Sequence, residues 1–61
     1  MENHTKLEHL QAAINYIEIA CCELIKIDDI VFTAIYYQLI IAESALKHQE
    51  SIIESDILDE Q

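Results

Sequence analysis

The side chains able to do chemistry are few: His4, His9 and His48, the pair Cys21 and Cys22, and twelve carboxylates. Histidine and cysteine are the usual ligands of zinc and the usual bases and nucleophiles, so their spacing decides what chemistry is open. His4 and His9 are five residues apart, whereas two ligands on one helical face need three or four. No Glu-x-x-His occurs, which removes the di-iron signature of helical bundles. His-Glu-x-x-His, Cys-x-x-Cys and any glycine-rich phosphate loop are missing as well. The histidines therefore read as solvated surface residues. No catalytic, metal-binding or cofactor-binding residue is assigned, and an enzyme is not expected. Cys21 and Cys22 are adjacent, which on a helix sets their side chains about 100° apart and makes a bridge between them geometrically poor. For Cys21, the neighbouring acids Glu18 and Glu23 disfavour the thiolate that a redox role needs, so it reads as a small core hydrophobe.

The elements that carry these residues are helical. Thr5-Lys6-Leu7-Glu8 has the form of a capping box, in which Thr5 and Glu8 satisfy each other's backbone amides. Leu7, Leu10, Ile14, Ile17, Cys21 and Leu24 follow at spacings of three and four, a heptad seam without a polar interruption. Ala13 and Ala20 sit one position before seam residues and admit a close neighbour. The next seam position is Asp28, and aspartate favours turns and N-caps because its carboxylate competes for nearby amides. The spacing thus predicts a first helix over about 5–27, a turn at 28–29 capped by Asp28 or Asp29, and a second helix over about 30–54. One unbroken helix is the rival, since Gly and Pro are both absent.

In the second helix one seam is Phe32, Ile35, Leu39, Ala42, Leu46, Gln49 and Ile53. Between Ile30 and Ala45, though, the helix is apolar nearly all round, and such a helix is a buried one. A lone hairpin gives each helix a single neighbour. Two hairpins packed face to face give two or three, so the expected fold is all-α: an antiparallel two-helix hairpin that dimerises into a four-helix bundle. The expected dimer core is Leu7, Leu10, Ile14, Ile17, Cys21, Leu24, Phe32, Ile35, Leu39, Ala42 and Leu46. The 61 residues form one domain. Its acidic end, 55–61, is expected to fray because acids at a helix C-terminus oppose the macrodipole.

Charge bounds the partners. Twelve acids against three lysines give a net charge of −9, while 52% of residues are hydrophobic. Disordered chains pair high charge with low hydrophobicity, which this chain does not. Three lysines cannot neutralise a phosphate track, so direct nucleic-acid binding is not expected. The longest apolar tract, residues 30–42, is interrupted by Thr33 and Gln38 and is shorter than the roughly 20 residues a bilayer takes. With no basic-then-apolar order at residues 1–6 and no disulfide framework, the expectation is a cytoplasmic protein without a membrane partner.

Tyr16, Tyr36 and Tyr37 carry apolar rings with polar tips, the chemistry favoured at protein interfaces. Two readings of Tyr36, Tyr37 and Ile40 stand: a rim of the dimer seam, or a patch for a second protein. Glu43, Glu50 and Glu54 extend that surface with charge. In size and plan the chain resembles the Rop type of plasmid regulator, a dimerising helical hairpin. That resemblance rests on architecture alone, and this chain has no arginine for the RNA-binding face such proteins use. The expected function is a small, acidic, non-enzymatic regulator or inhibitor that binds another protein, of the sort phages and other mobile elements encode. The alternatives are a self-assembling structural subunit and a nucleic-acid mimic that fills a basic groove of an enzyme.

Overall fold

The computed structural model describes residues 2–59. Two helices pack against each other as an antiparallel hairpin: α1 over Asn3–Leu24 and α2 over Ile30–Asp59. Its dimensions are 48 × 15 × 14 Å, the length of α2 by the width of two thin helices.

The N-terminal cap is not the expected one. Glu2, in extended backbone, occupies the cap, and its Oε1 accepts from the Thr5 amide at 2.8 Å and from the Thr5 hydroxyl at 3.0 Å. Thr5 therefore sits inside the first turn as a donor, and the box with Glu8 does not form. A carboxylate suits the place, because the exposed amides of a helix start favour negative charge.

The helix ends three residues before position 27. The Ile25 amide still reaches the Cys21 carbonyl at 3.1 Å, but the Lys26 amide bonds Glu23 at 3.2 Å and the Ile27 amide bonds Leu24 at 3.0 Å. These shorter loops tighten the last turn into 3₁₀ form and use up carbonyls the helix leaves open. Among the described residues none takes a positive φ. That is how a reversal is built here without glycine: the tightened turn at 25–27 is followed by a second tight turn in which the Asp29 amide donates to the Ile27 carbonyl at 2.9 Å. Asp29 then caps α2, with Oδ1 accepting from the Val31 amide at 2.8 Å and its carbonyl accepting from the Thr33 amide at 3.0 Å.

α2 continues to Asp59, through residues 55–59 where fraying is expected from sequence; residues 60–61 lie outside the described ones. Packing explains the difference. Ile57 is buried and Ile53 half-buried, and Ile57 shares a cleft with His4 and Leu7 at the start of α1. Apolar burial there outweighs the few tenths of a kcal/mol by which terminal acids oppose the dipole.

On α1 the heptad seam turns inward as its spacing implies. Ile14 and Cys21 are 5% and 7% exposed, and Leu7, Leu10, Ile17 and Leu24 are half-buried. On α2 the inward row is Tyr36, Leu39, Glu43, Leu46, Glu50, Ile53 and Ile57, all buried or half-buried. The expected row shares Leu39, Leu46 and Ile53 with it and has Ala42 at its edge, but Phe32, Ile35 and Gln49 are exposed.

Length accounts for Phe32 and Ile35. At 1.5 Å per residue α1 is about 33 Å long and α2 about 45 Å. The helices are aligned at the chain ends, where Leu7 meets Ile57, and Glu18 lies level with Lys47 further along. Continuing that alignment puts Leu24 level with about Ile40. The first two turns of α2, from Ile30 to Tyr37, therefore project past α1.

Candidate interaction surface

Only Ile14, Cys21 and Ile57 are buried among the described residues, and no side chain is fully enclosed. Large apolar residues are left in water instead. Ile30 is 86% exposed and Ile41 71%, and Tyr16, Ile19, Ile25, Val31 and Tyr37 are all more than half exposed. At about 25 cal/mol per Å² of apolar surface, a hairpin that leaves so much open lacks much of the driving force a folded domain needs. Exposed apolar side chains in such number are the material from which interaction surfaces are built.

Among the described residues no three His, Cys, Asp or Glu side chains come together as a metal site. An open cleft of about 260 Å³ between the first turn of α1 and the last of α2 is lined by His4, Leu7, Glu54, Ile57 and Leu58. Burial pushes the Cys21 thiol up from its ordinary pKa, and the nearby Glu43, Cys22 and Glu18 push the same way. A shift in that direction disfavours the thiolate, the form that acts as a nucleophile. Cys22, next to it, is exposed.

The two flanks of the hairpin differ in kind. At about 100° per residue, helical positions three and four apart share a flank. One flank is marked by Lys47, whose Nζ lies 3.8 Å from Glu43 and 4.0 Å from Glu18 across the helix pair. It carries Glu8 and Glu18 from α1 and Tyr36, Ile40, Glu43, Glu50 and Glu54 from α2. The other flank holds two rows at three/four spacing: Lys6, His9, Ala13, Tyr16 and Ala20 on α1, and Val31, Ala34, Gln38, Ile41, Ala45, His48 and Ile52 on α2. No acid stands within either stretch, but acids bound both at the same spacing: Glu2 and Glu23 on α1, and Asp56 and Asp59 beyond Ile52 on α2.

The residues singled out in the sequence divide between these surfaces. Tyr36 and Ile40 are half-buried beside the interhelical seam, while Tyr37 is exposed and meets Tyr36 edge-on, ring centroids 5.4 Å apart. Glu43 and Glu50 are half-buried seam residues, and Glu54 is exposed. The acid-free row Val31 to Ile52 was not singled out. Its signal was the Ile30–Ala45 stretch, apolar all round, in which one apolar row cannot be told from the next.

α2 also changes the membrane reading. As an unbroken helix of 30 residues it holds an 18-residue window of mean hydropathy 1.3, long and apolar enough to cross a bilayer by length and composition. The interruptions at Thr33 and Gln38 do not break it. Comparison of the chain with models of known protein families, with curated proteins and with solved structures gives no match.

Proposed function

We propose that this protein is a small non-enzymatic regulator that works as a homodimeric four-helix bundle and binds another protein through its acidic flank. The observation that carries the reading is the distribution of charge. One flank has a seven-residue stretch of α2, Val31 to Ile52, without acids and with acids only at its ends, while the other carries acids along its length. A polyanion cannot pair with itself through its acidic side, so self-association is left to the flank that holds this stretch. The acidic flank then stays outward on the dimer. Glu8, Glu18, Glu43, Glu50 and Glu54 on rigid helices form an array that a basic surface would meet at an accelerated rate. A groove that normally holds nucleic acid is one such surface.

The test is affinity capture from cell extract with the wild type and with a Glu50→Gln, Glu54→Gln variant. A basic partner that is retained by the wild type, released by raised salt and missed by the variant supports the reading, because exposed charge contacts are screened. Recovery of the protein alone would point to a purely structural subunit. A second reading rests on the hydropathy of α2: the helix enters a lipid bilayer. Flotation of the protein with neutral vesicles decides it, and failure to float removes it.

A further inference from the structure

We infer that the second copy docks along the acid-free row of α2, with the two α2 helices antiparallel and the two-fold axis passing between Ile41 and Ala45. The inference rests on the homodimer proposed above and adds its topology and register.

Charge selects the flank. Each chain is −9, and the row Val31, Ala34, Gln38, Ile41, Ala45, His48 and Ile52 is exposed and free of acids over its seven positions. Asp56 and Asp59 follow only at its C-terminal end, where Asp56 reaches the partner's Ile30 at the edge of the overlap. Pairing any face that includes Glu43, Glu50 or Glu54 with its own copy would set carboxylates against carboxylates, at a cost that grows as water leaves.

Side-chain size then selects the register. The seven residues form a heptad seam, and in an antiparallel pair the alternate positions of that seam meet across the axis. With the axis between Ile41 and Ala45, Ile41 opposes the partner's Ala45, and Ala34 opposes the partner's Ile52. Each layer pairs a large side chain with a small one, the arrangement that fills space without strain. The two polar residues also coincide: Gln38 opposes the partner's His48, so the amide and the imidazole meet each other rather than an apolar side chain. Shifting the register one layer toward the N-terminus sets Ala34 opposite the partner's Ala45, leaving a hole, and leaves both Gln38 and His48 facing apolar residues. About this axis six of the seven row positions meet partners within the row, and Val31 meets the partner's Ser55.

The same axis accounts for the projecting end of α2. The two α2 helices overlap over about 27 residues, about 40 Å. Because each α1 stops level with Ile40, the rotation brings the partner's α1 to the level of Ile30–Tyr37. The partner's His9, Ala13 and Tyr16 arrive there, where Phe32 and Ile35 are still 38% and 39% exposed. The result is a staggered bundle. A strip about 40 Å long and two helices, about 20 Å, across supplies about the 800 Å² per partner that a stable interface takes, roughly a sixth of the 4645 Å² exposed by the hairpin.

Disulfide trapping tests it, in the full chain with Cys21→Ala and Cys22→Ser. Ala34→Cys and Ile52→Cys are placed in separate chains, and helicity is checked by circular dichroism. Equimolar mixing under oxidised glutathione should give the mixed dimer as the main covalent product, identified by intact mass. Each chain alone should give little, because its two copies of the position lie about 27 Å apart along the axis. Covalent dimer from either chain alone, or a non-covalent dimer that fails to trap in the mixture, would overturn the register while leaving dimerisation intact. A monomeric wild type would instead remove the reading on which it rests. As an independent check, Ala45→Leu on the exposed surface should raise the dimer dissociation constant at least tenfold with hairpin helicity retained; an unchanged constant would contradict the pairing with Ile41.

Discussion

The Lys47 ammonium stands 4.0 Å from the Glu18 carboxylate, and this is the ion pair that joins α1 to α2 among the described residues. Both side chains are about half exposed. Solvent screening and side-chain entropy hold such pairs to less than about 1 kcal/mol. Its value lies in marking which flank is charged and in fixing the two helices level with each other. Lys47→Met should therefore lower stability in urea by less than about 1 kcal/mol. A loss of several kcal/mol would mean that the charge network, not the apolar seam, holds the hairpin.

Ile14 is the better measure of that seam. It is 5% exposed and lies midway along α1. Ile14→Ala should cost about 2–4 kcal/mol by lost burial and the cavity left behind, read from urea midpoints by circular dichroism. In so small a fold that is enough to leave much of the population unfolded.

Asp29 and Asp28 are adjacent and do different work. Asp29 accepts the Val31 amide, whereas Asp28 makes no hydrogen bond to the cap. Asp29→Ala should destabilise the protein by about 1 kcal/mol, and Asp28→Ala should stay within about 0.5 kcal/mol of the parent. Equal effects would argue that the turn, not the cap, sets the end of α2.

How much of this was legible in the sequence differs between the helices. α1 shows its seam plainly because polar residues separate the apolar ones: Glu8, Gln11, Asn15 and Glu18 leave one apolar row. α2 has no such contrast from Ile30 to Ala45, so periodicity fits several rows equally. The inward row differs from the expected one because Glu43 and Glu50 lie in it. A row containing two acids does not look like a core, but at the edge of a two-helix seam a long side chain can carry its carboxylate outward, as Glu43 does in reaching Lys47. The N-cap was missed for a related reason. Thr5 and Glu8 satisfy the box pattern, yet Glu2 reaches the Thr5 amide first and starts the helix at Asn3. The flank pairing, finally, needs three dimensions. Only once Glu18 and Lys47 are level does it become clear that the stretch Val31 to Ile52 lies opposite the flank carrying Glu18, Glu43 and Glu54.

The two cysteines should report the fold by their reactivity. Cys21 is buried and its pKa is raised by burial and by Glu43, so it carries less thiolate at mildly alkaline pH than an ordinary cysteine. Thiol labelling of the native protein should show a fast phase from Cys22 and a slow one from Cys21, merging on denaturation. The folded state also holds the Cys21 proton more tightly than the unfolded chain does. Its contribution is full below the unfolded thiol range and fades as pH rises through the higher folded value.

Glu2 gives the opposite sign. Its carboxyl is held below the usual carboxylate range by the Thr5 hydroxyl first and then the Thr5 amide. The cap is intact above that range and is lost as pH falls through the depressed value. The protection factor of the Thr5 amide, its rate taken against the intrinsic exchange rate at each pH, should fall on acidification. Glu2→Gln should show a lower protection factor already at neutral pH with a weaker response to acid. Equal pH responses in the two proteins would remove Glu2 as the cap.

The central claim is that the acid-free stretch of α2 takes a second copy of the chain. Mass in solution at micromolar concentration, by sedimentation equilibrium or light scattering, tests it most directly. The expected result is twice the 7.0 kDa chain mass, reverting toward 7.0 kDa on dilution or with Ala45→Leu. A mass of 7.0 kDa that persists as concentration is raised, with the helices intact, would contradict it.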